Sequence, residues 1–129
     1  MIKYFLLFSI CLIFTSCLQK NKNNSDSIDL TFLNTHKLNI KNGQTVFNKS
    51  CITCHLYGTG GATILNDKKT WENILETKTI QKIYTNVLYG YVGDKGPMPQ
   101  KGACQECSET DLIDAIEYIL SINRLSIRK

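Results

Sequence analysis

Cys51-Ile-Thr-Cys54-His55 decides how the rest of the chain is read. The spacing C-x-x-C-H is that of covalent c-type haem attachment. Each thiol adds across one of the two haem vinyl groups, and the imidazole of the next residue then lies under the iron. Cys51 and His55 are four positions apart, so one helical turn carries both on the same side. Two other uses of a cysteine pair compete. A Cys51–Cys54 disulfide would leave His55 a coincidence, and a thioredoxin-like redox pair would call for a βαβ pattern that this sequence lacks.

A second pair, Cys104-Gln-Glu-Cys107, raises a third possibility, a four-cysteine zinc site. The 49 residues between the pairs far exceed the roughly 15–20 of compact zinc modules. Zinc would also leave His55 and the segment around Met98 without a role. Beyond the first sixteen residues there is one methionine, Met98, in Gly96-Pro97-Met98-Pro99. Flanking prolines fix the backbone and hold the sulfur in place, which suits an iron ligand better than a gap-filling core side chain. A thioether is a soft ligand that favours ferrous iron and raises the reduction potential. The expected axial pair is therefore His55 and Met98, with His36, the other histidine, as an outsider.

Working outward, hydrophobic periodicity predicts helices. Val46 and Phe47 share a face with Gly43 and run into Cys51. Ile80, Ile83, Tyr84, Val87 and Leu88 follow the i, i+3, i+4 pattern, with Thr79 placed to cap the helix and Gly90 to end it. Thr70-Trp71 begins a shorter helix. Ser108-Glu-Thr-Asp111 is a capping-box pattern ahead of the stripe Leu112, Ala115, Ile116, Ile119 and Leu120. No alternating β pattern of useful length occurs, so the fold expected is all-α. Three or four short helices joined by long loops cannot easily enclose a core of their own. A large apolar cofactor in the middle resolves this.

The whole chain has 129 residues, 43% hydrophobic and 20% charged, which fits one small globular domain. Its net charge is +4, but residues 40–129 hold eleven Lys and Arg against nine Asp and Glu, or +2. No basic stripe with interleaved aromatics appears there, so nucleic acid is not an expected partner. Two haem propionates would cancel that +2, which leaves steering of partners local. Lys95 and Lys101, flanking Met98, are candidates for an exposed haem edge, or else solvated loop charges.

Lys3 precedes an apolar run of eleven, residues 4–14. It is too short for the roughly 20 residues of a bilayer span and has the size of an export signal's hydrophobic region. Phe14-Thr15-Ser16-Cys17 resembles the bacterial lipoprotein signal, with Phe14 in place of the usual Leu. An ordinary secretory signal with Cys17 as a bystander is the alternative. Residues 19–27, QKNKNNSDS, cannot bury enough surface to offset their ordering entropy. The expected organisation is an export signal at 1–16, a lipid-anchored tether at 17–39 and a monohaem domain at 40–129. As a flexible coil of some twenty residues the tether would reach about 25 Å. For residues 28–33 the sequence leaves open a strand or packing on the domain.

These motifs together resemble class I c-type cytochromes, in particular the small bacterial cytochrome c-five-like group. The resemblance rests on Gly43, Phe47, Cys51-x-x-Cys54-His55, Trp71, Met98-Pro-x-Lys-Gly102, Cys104-x-x-Cys107-Ser and the terminal helix with Tyr118. It implies three to five helices wrapped around one covalent haem c, with the first and last crossing near Gly43, Phe47 and Tyr118. It also implies a Cys104–Cys107 disulfide. Where the family often has a proline whose carbonyl accepts the imidazole N–H, this chain has Thr63, so the carbonyl survives while the loop loses a stiffener. Trp71 is expected on the haem or donating its indole N–H to a propionate, with core packing as the alternative. Pro97 is expected against the cofactor, and residues 91–96 look longer than in relatives.

The expected function is a single-electron carrier, not an enzyme, exported to the bacterial periplasm or the cell-envelope face of a membrane and lipid-anchored. Its partners would be redox proteins: a dehydrogenase, a reductase or a terminal oxidase, with no small-molecule substrate. The alternatives are a haem sensor or peroxidase-like protein with a displaceable Met98, or a zinc- or disulfide-stapled binding lipoprotein. The distal His/Arg acid–base pair of peroxidases has no counterpart near His55.

Overall fold

A computed structural model describes residues 31–128. The export signal at 1–16, Cys17 and the tether as far as residue 30 lie outside the described residues. Local sequence sets the helix boundaries. Helix α1 is Thr31–Thr35 and α2 is Ile40–Val46, where the Asn39 side chain accepts from Asn42 N at the N-cap. The chain then passes through a wide π turn, Phe47–Cys51, in which Ile52 N–H donates to Phe47 O, and continues as α3, Ile52–His55. Such turns widen a helix locally and are frequent at functional sites.

Helix α4, Lys68–Thr77, starts earlier than Thr70 because the Asp67 side chain caps it by accepting from Thr70 N at 3.2 Å. Helix α5, Ile80–Tyr89, begins on Thr79, whose hydroxyl accepts from Lys82 N at 3.1 Å, and ends at Gly90. Helix α6, Glu109–Ile122, opens with a full capping box between Ser108 and Asp111. Each cap satisfies a backbone donor that the first turn would otherwise leave unpaired.

Between α5 and α6 the chain makes a two-stranded antiparallel hairpin, β1 (Tyr91–Gly93) with β2 (Gly96–Met98), in which Tyr91 lies opposite Met98. The sequence reading held no strand here. Three-residue strands rich in Gly and Pro carry too few positions to display an alternation.

Packing centres on the crossing of α2 and α6. Gly43 sits at the contact: a Cβ there would lie 2.0 Å from the Asp114 carbonyl oxygen and 2.9 Å from Tyr118 Cβ. Beside it the Phe47 and Tyr118 rings meet with centroids 5.5 Å apart. Phe47, Tyr84, Leu112, Ile113 and Leu120 are fully buried, each worth about 1.5–3 kcal/mol relative to exposure. The implied helix crossing at Gly43, Phe47 and Tyr118 is therefore present.

Residues 31–39, expected within the tether, are docked on the domain. Phe32 packs on Tyr84 with ring centroids 5.6 Å apart. His36 Nε2 donates to Asp114 Oδ1 at 2.8 Å, and Asn39 N donates to the same oxygen at 2.9 Å. Asn42 Nδ2 reaches Oδ2 at 3.0 Å. Asp114 is only 2% exposed, and a buried carboxylate needs partners to offset its lost hydration. The N-terminal segment and α2 supply them. Among the described residues no helix is long and apolar enough to cross a membrane.

Candidate functional site

The π turn and α3 bring Cys51, Cys54 and His55 to the wall of one cavity of about 270 Å³. Trp71 of α4, Val87 of α5, Ile116 of α6 and Pro97 and Met98 of β2 line the same cavity. Its lining is mostly apolar, so the gap in the core that a cofactor was expected to fill has a physical counterpart. Cys51 and Cys54 are both free and half-buried. Burial pushes the Cys51 thiol above its ordinary range, with a backbone hydrogen bond opposing in part.

His55 is oriented by its other nitrogen. Nδ1 lies 2.7 Å from the Thr63 carbonyl oxygen, which can only accept, so Nδ1 carries the proton. In the neutral ring Nε2 then holds the free lone pair. A metal-binding histidine is commonly oriented in this way through its second nitrogen. The loop from His55 closes with Leu65 N donating to His55 O at 2.6 Å. Thr63 thus contributes its backbone carbonyl.

The rims carrying the two candidate ligands touch. Gly61 has φ +82° and a Cβ there would lie 1.9 Å from the Lys95 carbonyl oxygen. The loop after His55 and the turn before Met98 can meet only because Gly61 has no side chain and adopts a left-handed backbone.

Trp71 lies beside His55, ring centroids 5.9 Å apart, but its indole N–H donates to the Ile64 carbonyl at 2.9 Å. That corrects the propionate alternative: an indole has one donor, and a loop carbonyl seven residues back holds it. Lys101 is not a solvated loop charge. Its Nζ donates to the Cys107 carbonyl at 2.9 Å and reaches the Gln105 carbonyl at 3.4 Å. Lys95 remains at the cavity rim. His36 does not line the cavity and is engaged with Asp114.

The Sγ atoms of Cys104 and Cys107 are 1.98 Å apart, a bonding distance. Cysteines bonded to each other cannot complete a four-thiolate zinc site, and no group of three or more His, Cys, Asp or Glu is placed to hold a metal among the described residues. The residues present fit a covalently attached haem: two free thiols, one imidazole nitrogen with a free lone pair and one thioether around an apolar space.

Two participants escaped the sequence reading. Asn86, 8% exposed, lines the cavity, and its place within the apolar periodicity of α5 gave no hint of this. Asn123, 4% exposed, donates to Leu65 O at 2.8 Å and Ile119 O at 2.9 Å. Its partner is 58 positions away, beyond any local pattern.

Comparison with known proteins matches residues 38–119 to the domain family described as "Cytochrome C oxidase, cbb3-type, subunit III". Cytochrome c-555 of Chlorobaculum thiosulfatiphilum is 31% identical over 78 residues, covering 60% of this chain and 90% of that protein. Cytochrome c5 of Ectopseudomonas mendocina is 29% identical over 77 residues, covering 60% and 85%. A solved structure, "Crystal structure of electron transfer complex of nitrite reductase with cytochrome c", is similar with a TM-score of 0.57 at 27% identity, covering 68% of this chain and all of that one.

Proposed function

This chain belongs to the cytochrome c family, and from that premise we propose that its single covalent haem c is fastened by Cys51 and Cys54 and ligated by His55 and Met98. Covalent haem c and electron carriage are properties of the family and hold for this chain. The bound iron supplies a one-electron Fe(III)/Fe(II) couple. His55, its ring oriented by Thr63 O, and Met98 of the hairpin would hold the iron. With both residues bound in either oxidation state, reorganisation would be small and no position would be left for a substrate. Trp71 and the apolar lining exclude water, and Pro97 and Pro99 restrict the backbone that carries Met98.

The observation that carries this reading is the convergence of Cys51, Cys54, His55 and Met98 on one apolar cavity, with the imidazole already oriented. The partners proposed are redox proteins of the dehydrogenase, reductase or oxidase class, as the nitrite reductase in the similar complex illustrates. We also propose an export signal at 1–16 and lipidation of Cys17, supported by Lys3, the apolar run and Thr15-Ser16-Cys17. Because residues 31–39 are docked on the domain, we propose that they belong to it and that the tether is shorter than 17–39. The test is expression in a host that matures c-type cytochromes. Haem should stay with the chain through denaturation and acid extraction, and substituting both Cys51 and Cys54 by Ala should release it. Haem fully extractable from the unsubstituted chain would refute covalent attachment.

A further inference from the structure

The loop that returns along the cavity wall after His55 presents three successive carbonyls, those of Thr63, Ile64 and Leu65. A side-chain donor from a different part of the fold holds each one. His55 Nδ1 takes Thr63 O at 2.7 Å, Trp71 Nε1 takes Ile64 O at 2.9 Å, and Asn123 Nδ2, just past α6, takes Leu65 O at 2.8 Å. Asp67 N also donates to Ile64 O at 3.1 Å. Trp71 and Asn123 are 9% and 4% exposed, so the bonds they make are shielded from competing water.

Peptide units are planar, and only the φ and ψ of Ile64 separate the plane bearing the Thr63 carbonyl from the plane bearing the Ile64 carbonyl. Fixing the Ile64 and Leu65 carbonyls therefore restricts the tilt of the Thr63 carbonyl against the imidazole. Thr63 has no ring to lock its own φ, so this restriction has to come from outside the residue.

We propose that Trp71 and Asn123 are positioning residues that hold the Thr63 carbonyl on His55 and so set the electron-donating strength of the axial imidazole, and with it the reduction potential. The proposal rests on His55 as an iron ligand. A firm Nδ1–H···O bond makes the imidazole more basic, which favours the ferric state. Loosening it favours the ferrous state and raises the potential. Asn123 does not itself line the cavity; its second bond, to Ile119 O at 2.9 Å, reaches a lining residue, so reversal by Thr63→Pro is the readout that separates the loop from the wall.

The test uses the haem-loaded full chain with Trp71→Phe, which keeps a ring and removes the N–H, and Asn123→Ala. The midpoint potential is measured together with solvent exchange of the His55 Nδ1 proton by NMR in the ferrous state. Both variants should show a raised potential and exchange faster by about tenfold, the equivalent of one hydrogen bond. Adding Thr63→Pro to either should return both readouts toward the parent. Ala62 has φ −61° and ψ 143°, the extended conformation that tolerates a following proline. The proposal is overturned if either variant leaves potential and exchange unchanged, or if Thr63→Pro reverses neither, which would mean space filling alone. Should Trp71→Phe fail to fold, Asn123→Ala with its Thr63→Pro partner decides by the same criteria. Failure of the underlying reading looks different: His55→Ala would keep the parent's low-spin spectrum.

Discussion

Replacing Gly43 by alanine probes the contact on which the domain is assembled. The added Cβ would stand 2.0 Å from the Asp114 carbonyl oxygen, 2.5 Å from its carbon and 2.9 Å from Tyr118 Cβ. Two of these are backbone atoms of α6, so no rotamer change relieves the clash and the helices must separate by about 1 Å or more to reach ordinary contact. Separation strains the Asn42 Nδ2 bonds to Asp111 at 2.8 Å and Asp114 at 3.0 Å and the Phe47–Tyr118 contact. Overpacking costs about 1–3 kcal/mol, and each strained bond to a carboxylate adds up to about 1.5–3 kcal/mol. Alanine's better helix propensity returns only about 1 kcal/mol. The expected net loss is at least about 2 kcal/mol, a fall in Tm of at least about 8 °C for a domain of this size. Thermal unfolding followed by circular dichroism measures it, with Lys41→Ala on the exposed side of the same helix as a control. Gly43→Ala as stable as the parent would mean that α2 and α6 do not approach this closely.

Met98→Ala is expected to lower the potential and admit cyanide or CO rapidly at neutral pH; an unchanged absorption spectrum would assign the second ligand elsewhere. Replacing Cys104 and Cys107 by Ser should cost about 2 kcal/mol, the chain-entropy value for so short a loop, seen as a lower denaturant midpoint; no change would mean that the bridge contributes nothing in the mature protein. Hydrogen bonds from Asn42 and Ser108 hold the Asp111 carboxyl below its ordinary range. A depressed carboxyl contributes stability above its unfolded pKa and loses it as pH falls through the folded value. Asp111→Asn should therefore destabilise at neutral pH and match the parent increasingly below about pH 4. Acid titration of unfolding checks this, and a pH-independent cost would contradict it.

What the sequence made legible was local. Thr79, Gly90 and Ser108 with Asp111 announce helix ends because a cap bonds within three or four residues. Cys51, Cys54 and His55 announce attachment chemistry because the covalent geometry fixes their spacing. Thr63 is reached only through the family resemblance, which marks its place after His55, and the carbonyl it supplies belongs to the backbone whatever the side chain. Distant choices stayed hidden. The Trp71 N–H was expected on a propionate or simply packed, and only the folded loop shows that Ile64 O takes it. His36 and Asn39 sit in a polar-looking stretch, and their docking depends on Asp114, 78 and 75 positions on. Asp114 lies off the apolar stripe of α6, and its burial at 2% exposure depends on α2 and the N-terminal segment laid over it.

Redox titration of the mature protein with absorption spectra bears most directly on the central claim. One one-electron transition is expected, with six-coordinate low-spin haem spectra in both states and no CO adduct on reduction. A colourless chain from a host able to mature such proteins, or a high-spin ferrous state that binds CO at once, would contradict it.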